Sequence, residues 1–336
     1  MKKIFKTKII AEAGVNHNGS LIYAKRLVDI AKKANCDFVK FQAFKTDEIT
    51  TQYAKKTDYQ KKNKSDSELQ YQMLKKLELN KKQFVKIKKY CDKKKIKFLC
   101  TAFDVEYLEF ILKLNVKLIK IPSGEINNIF LLKKAAKSNK PILLSTGAAN
   151  TKDIFFALKI LKKSKNKIYL MQCSSAYPTP VESANINVVK SFLKIADGAG
   201  YSDHTLGNEA AICATAFGAT FIEKHFTISK KLNGPDHKMS LNPKELISFV
   251  KSIRNAEMSL GSNLKFINKY EKKNLKFIRR AIVANQNIKK NEKFTINNLS
   301  IKRTSFAKNC FSPKDFFKLI NKKSKKNYLI NEKIQK

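Results

Sequence analysis

Short runs of apolar and β-branched residues recur along the chain, and a stretch with helical spacing follows each one. The runs fall at 8–13, 38–42, 97–101, 117–121, 142–145, 168–172, 197–202 and 221–224. After the first, Ala24, Leu27, Val28, Ile30, Ala31 and Ala34 trace one helical face. After the third, Leu108, Phe110, Ile111, Leu112 and Leu114 do the same. Alternating strand and helix predicts a parallel sheet. Eight repeats in roughly 260 residues predict a closed (β/α)8 TIM barrel, a fold of about 250 residues. A doubly wound open sheet is the alternative, but no G-x-G-x-x-G follows the first run.

Two stretches break the rhythm. A long polar segment, 45–80, follows the second run and reads as a lid, a subunit contact or a disordered insertion. Near the end, a Lys- and Asn-rich bridge gives way to Arg279-Arg280-Ala281-Ile282-Val283-Ala284 and to short strand-like runs at 293–295 and 299–303. The organisation expected is a barrel over 1–262, a linker over 263–278 and a small module over 279–336.

Composition narrows the function. The chain has 336 residues and is 43% hydrophobic, enough for a substantial core. Its formal charge of +42 raises the possibility of nucleic acid as a partner. The basic residues are nearly all Lys and are dispersed, whereas a nucleic-acid binder would cluster Arg among aromatics. Nucleic-acid binding is therefore not the expected role, although a positive field still attracts anionic substrates. The six cysteines have no C-x-x-C spacing and read as buried, reduced thiols of a cytoplasmic protein. Met1-Lys2-Lys3 resembles a signal n-region, but Glu12 interrupts the apolar run behind it, and no 18-residue apolar stretch exists. Neither a membrane nor a secretory route is expected.

In a barrel the active site lies at the C-terminal ends of the strands. The polar residues that end these runs are therefore candidates for one cluster. Two of the four histidines, His204 and His225, end the seventh and eighth runs, so two imidazoles at neighbouring strand ends could share a metal ion. His237, in a turn beyond the eighth run, is a weaker third candidate. Lys40 and Lys120 sit inside apolar runs, where a charge is costly unless paired. With the hydroxyls of Thr101, Ser123, Ser145, Ser175 and Ser202 they could cage a phosphate. The rival reading pairs both lysines with Glu12, Glu125 or another carboxylate. Glu12 and Glu125 could equally handle a proton.

The segments Ile10-Ala11-Glu12-Ala13-Gly14-Val15-Asn16-His17-Asn18-Gly19, Val39-Lys40-Phe41-Gln42, Lys120-Ile121-Pro122-Ser123-Gly124-Glu125, Ser145-Thr146-Gly147, Ala176-Tyr177-Pro178-Thr179-Pro180, Gly200-Tyr201-Ser202-Asp203-His204-Thr205 and Glu223-Lys224-His225-Phe226 appear in order, with Gly234-Pro235-Asp236 beyond. Together they resemble the N-acetylneuraminate (sialic acid) synthase family, which includes legionaminic and pseudaminic acid synthases. The resemblance implies a TIM barrel followed by a C-terminal antifreeze-like (SAF) domain, in a domain-swapped homodimer.

It also implies condensation of phosphoenolpyruvate with an N-acyl mannosamine-type sugar. His204 and His225 then hold Mn2+ or Mg2+. Lys40, Thr101, Lys120, Ser123, Ser145, Ser175 and Ser202 hold phosphoenolpyruvate. Gln42, Tyr177, Asp236 and Arg303 match sugar-contacting positions, and Glu12 or Glu125 handles the proton. After Arg303 the chain reads Thr304-Ser305-Phe306-Ala307-Lys308-Asn309-Cys310, where the family has Pro and a Gly-rich turn. The neighbouring possibilities are a phosphoenolpyruvate aldol-type synthase of the DAHP or KDO 8-phosphate kind and, from another class, a basic nucleic-acid-binding protein.

Overall fold

A computed structural model of the chain describes residues 7–57, 60–61, 67–304 and 309–336. Met1-Lys2-Lys3 and residues 305–308 of the segment after Arg303 lie outside the described residues. The chain divides into two units, Met1–Gly261 and Ser262–Lys336.

The first unit is the closed eight-stranded barrel that the alternation predicts. Its strands are β1 (Lys8–Gly14), β2 (Phe38–Ala43), β3 (Lys97–Ala102), β4 (Ile119–Ile121), β5 (Ile142–Ser145), β6 (Ile168–Cys173), β7 (Gly198–Asp203) and β8 (Phe221–His225). Each pairs in parallel with the next, and β8 closes on β1. Helices form the outer layer. In α1 (Leu21–Lys33) the buried residues are Ala24, Leu27, Val28 and Ala31, four of the six that the spacing marks. Ser20 caps its N-terminus by accepting from the Tyr23 amide. The wide gap between β2 and β3 carries α2 (Thr46–Ile49), α3 (Gln70–Leu77) and α4 (Lys81–Lys94). The polar segment 45–80 thus holds two short helices, and Met73 and Leu77 of α3 pack with Val15 and Phe44 over the β1 and β2 ends. The remaining barrel helices are α5 (Val105–Lys113), α6 (Ile129–Ala136), α7 (Thr151–Leu161), α8 (Val188–Ile195), α9 (Glu209–Ala216) and α10 (Pro243–Leu260).

Side chains along a strand alternate between faces, so the barrel interior is built in steps of two residues. Ile10, Phe38, Leu99, Leu118, Leu143, Met171 and Phe221 form one buried apolar cluster that plugs the lower interior. Two positions further along the same segments stand Glu12, Lys40, Thr101, Lys120, Ser145, Cys173 and Glu223. The polar layer rests directly on the apolar plug.

The second unit contains helix α11 (Lys269–Ile278) and an antiparallel pair, β9 (Arg280–Ala284) with β10 (Leu299–Arg303). The expected linker is therefore partly helical. Asn268 accepts from the Tyr270 and Glu271 amides, and Glu271 accepts in return from the Asn268 amide. The expected strand at 293–295 is reduced to an isolated bridge between Lys293 and Lys323. A small core of Ile282, Ala284, Ile288, Phe294, Leu299, Leu319, Tyr328 and Ile334 holds the unit together, with the short helix α12 (Phe316–Leu319) at its edge.

Candidate functional site

Of the fifteen residues that the family resemblance assigns to the site, fourteen line one cavity of about 460 Å3 at the C-terminal mouth of the barrel. The exception is Arg303, exposed at the end of β10 in the second unit.

The floor of the cavity is a charged layer. Lys40 Nζ lies 3.1 Å from Glu12 and 3.4 Å from Glu223, and it donates to Thr101 Oγ1 at 2.9 Å. Lys120 Nζ meets both oxygens of Glu223 at 2.9 Å. Ser202 Oγ donates to Glu223 at 2.8 Å, and Gln42 donates to Glu12 at 3.0 Å. The lysines therefore do not wait as bare cations, and the pairing reading holds in part. Glu12 and Glu223 are the partners. Glu125 is not: it sits half-buried at the rim and accepts from Asn128.

Burial sets the protonation of this layer. It pulls Lys40 down, but Glu12 and then Glu223 outweigh it, so the ammonium is held above its ordinary value. For Lys120 burial prevails over Glu223, and the group falls below its ordinary value. Burial raises Glu12 against the pull of Lys40. Burial would raise Glu223 as well, but Lys120 and Lys40 hold it well below the usual carboxylate range.

One side of the cavity offers hydroxyls. The Gly147 amide donates to Ser123 Oγ at 2.8 Å. A Cβ at Gly147 would stand 2.4 Å from Ser175 Oγ and 2.9 Å from Ser123 Oγ, so only glycine lets the two hydroxyls converge here. Ser145 Oγ is buried without a hydrogen-bond partner. An orphaned buried hydroxyl beside two convergent ones suits an anion's oxygens.

The other side carries the histidines, one step above the charged layer. The ring centres of His204 and His225 are 5.7 Å apart, and Tyr177 covers His204 at 4.0 Å. His204 Nδ1 donates to the Ser174 carbonyl at 2.7 Å, which leaves the Nε2 lone pair available. His225 Nδ1 is buried without a hydrogen-bond partner, 3.9 Å from Asp236. Burial lowers His204 to about 4. Burial and then the neighbouring His204 lower His225 to about 3. Both rings are neutral at pH 7. Burial and then Glu12 raise Asp236 to about 7.

The donor set fits a divalent cation. An imidazole–metal bond of about 2.1 Å puts each ring centre roughly 3 Å from the ion, so two rings on one ion have centres up to about 6 Å apart. Among the described residues no third His, Cys, Asp or Glu completes a closed metal cage. Two neutral imidazoles would leave positions open for substrate and water. His237 is not a ligand: Thr227 and Asn18 take its two ring nitrogens at 2.6 and 3.1 Å.

Glu223 is the functional residue that the motif reading passes over, because His225 two positions later draws the eye. The signal was present. Glu223 stands two residues after Phe221, in phase with the inward face that supplies Glu12 and Lys40. Cys173, 3.7 Å from His204, occupies the corresponding position on β6. Lys224, between Glu223 and His225, points out of the barrel and pairs with Asp203 at 2.6 Å.

The N,N'-diacetyllegionaminic acid synthase of Campylobacter jejuni subsp. jejuni is 44% identical over 335 residues, which cover 98% of this chain and 99% of that protein. Human N-acetylneuraminate-9-phosphate synthase is 32% identical over 94% of this chain and 88% of its own length. The crystal structure of the N-acetylneuraminic acid synthetase of Leptospira borgpetersenii serovar Hardjo-bovis superposes with a TM-score of 0.71 at 34% identity, covering 81% of this chain and 90% of that one. Residues 27–265 match the model of the NeuB family. The chain belongs to the NeuB family, and it is an enzyme of the synthase kind.

Proposed function

We propose that this chain condenses phosphoenolpyruvate with an N-acyl mannosamine-type sugar, releasing phosphate and a nine-carbon 2-keto sugar acid. The observation that carries the reading is the order of groups inside the barrel. Ammonium groups lie in the buried layer, hydroxyls converge at the ends of β4 to β6, and two neutral imidazoles stand at the ends of β7 and β8, all lining one cavity. Identity of 44% to a diacetyllegionaminic acid synthase favours a diacetamido-trideoxy hexose over N-acetylmannosamine.

In this reading Ser123, Ser145 and Ser175 take the phosphate oxygens. Lys40 and Lys120, with Thr101 and Ser202 behind them, supply the positive charge that fixes the two anionic ends of phosphoenolpyruvate. Gln42, Tyr177 and Asp236 hold the sugar. A divalent ion, Mn2+ or Mg2+, held by His204 and His225 would supply a Lewis acid for the open-chain aldehyde.

C3 of phosphoenolpyruvate attacks the aldehyde carbon, and positive charge develops at C2. Glu12 and Glu223 lie in the buried layer and stabilise that charge. Water adds at C2, and the tetrahedral adduct breaks its C–O bond to expel phosphate. Glu12 is the better placed of the two candidate glutamates to take the water proton, since Glu125 is held at the rim by Asn128.

The second unit belongs to the same proposal as an antifreeze-like cap in a domain-swapped homodimer, with Arg303 of one subunit reaching the N-acyl group bound in the other. The buried thiols of Cys36, Cys91, Cys100 and Cys173 suit a cytoplasmic setting. Among the described residues no helix is long and apolar enough to cross a membrane.

The test is incubation of the purified chain with phosphoenolpyruvate, Mn2+ and each candidate sugar, reading phosphate release and product mass. Equimolar phosphate and a product enlarged by the three-carbon unit are expected with one N-acyl sugar. Absence of both with every N-acyl sugar would overturn the proposal.

A further inference from the structure

Each histidine of the pair is preceded by a buried charge of opposite sign, Asp203 before His204 and Lys224 before His225. The register of β7 and β8 sets Asp203 directly beside Lys224. The two side chains point outward, into the layer under α10, where Lys224 Nζ lies 5.4 Å from the Phe249 ring centre. Asp203 is 1% exposed and Lys224 3%.

Lys224 Nζ donates to Asp203 Oδ2 at 2.6 Å, to the Thr205 carbonyl at 2.8 Å and to the Gly207 carbonyl at 2.9 Å, which uses all three of its hydrogens. Asp203 Oδ1 accepts from the Thr205 amide at 2.9 Å and from its hydroxyl at 2.7 Å. The residues on both sides of His204 are thus tied to the residue that precedes His225. Desolvating two ions costs several kcal/mol each, and an apolar pair could fill this space. Packing alone does not call for charge here.

We infer that the Asp203–Lys224 ion pair and its bonds to Thr205 position His204 against His225, setting the spacing of the two imidazoles and so the affinity of the pair for a divalent cation. This rests on the reading of the two histidines as a cation site. Asp203, Lys224 and Thr205 are positioning residues and touch no substrate. A second consequence separates this role from general support of the fold. The phosphoenolpyruvate pocket is built on residues of β2 to β6 and the turns after them, with Ser202 its one member on β7, so it should be far less sensitive to the pair.

The test is calorimetric titration of the metal-free full chain with Mn2+, alongside KM for phosphoenolpyruvate at saturating Mn2+. The double variant Asp203→Asn/Lys224→Met removes both charges with little change of volume. Its Mn2+ dissociation constant is expected to rise more than tenfold while KM for phosphoenolpyruvate stays within about threefold. Thr205→Val, which removes only the hydroxyl on Asp203, is expected to raise the dissociation constant about threefold and keeps the inference testable if the double variant does not fold. Parent-like Mn2+ affinity in whichever of these variants folds overturns the inference, as does an equal loss in Mn2+ affinity and KM. If His204→Ala binds Mn2+ as tightly as the parent, the cation reading itself fails and the inference falls with it.

Discussion

Glu223 spans the two lysines of the floor, and Ser202 braces it from the next strand. Above it, all four histidines of the chain are held below their ordinary value of 6.5, His17 and His225 at about 3 and His204 and His237 at about 4, in each case chiefly by burial. A histidine whose folded pKa lies below its unfolded one keeps its stabilising contribution above the unfolded value and loses it as pH falls. The unfolded chain takes up protons first, so stability should drop between pH 6.5 and about 4. Asp236, raised by burial to about 7, works the other way, as does Glu12, raised by burial, so the net drop is smaller than four imidazoles alone would give. Urea unfolding at pH 7.0 and pH 5.5 measures it. A clearly lower midpoint is expected at pH 5.5, and equal midpoints would contradict the burial of the imidazoles.

The steps of two along each strand carry the site, and the turns after the strands shape it. At the end of β1, Gly14 adopts φ +52° beside a register shift, and a Cβ there would come within 3.4 Å of His225, Gln42 and Glu12. After β5, Gly147 leaves room for Ser123 and Ser175 to converge. Gly147→Ala should force these hydroxyls apart, with an overpacking cost of about 1–3 kcal/mol. KM for phosphoenolpyruvate is expected to rise at least tenfold, with far-ultraviolet circular dichroism unchanged. An unaltered KM would remove this turn from the phosphate site. These elements also mark what a reader of the sequence could see. The strand-like runs read from the sequence set Lys40, Lys120 and both histidines on the strands that line the barrel mouth, because β patterning is local. The Lys120–Glu223 bond joins residues 103 apart in sequence, and pairing over such a span is fixed by barrel closure. The helix Lys269–Ile278 escaped notice because Tyr270, Phe277 and Ile278 are exposed and its Lys and Asn content reads as linker.

At the scale of the molecule, the chain pairs a barrel unit ending at Gly261 with a second unit that has its own core. The barrel closes on itself through β1 and β8, so it does not depend on the second unit for a complete sheet. A chain ending at Gly261 is expected to unfold cooperatively and to keep its Mn2+ site, while turning over substrate at least tenfold more slowly for want of Arg303 and the cap. Full turnover by the truncated chain would contradict the role proposed for the second unit. The formal charge of +42 is dispersed over many lysines, and within the barrel it is locally cancelled by Glu12 and Glu223. Its reach is therefore toward attracting anionic substrates from solution.

In the proposed function His204 and His225 grip one cation in the cavity that also holds phosphoenolpyruvate. The most direct measurement strips the full chain of metal, titrates Mn2+ back, and follows condensation in the parent and in His204→Ala. The parent should regain activity in step with Mn2+ occupancy, and His204→Ala, folded, should neither bind the ion nor condense. Full condensation in metal-free buffer, or an undiminished response to Mn2+ in His204→Ala, would contradict the claim.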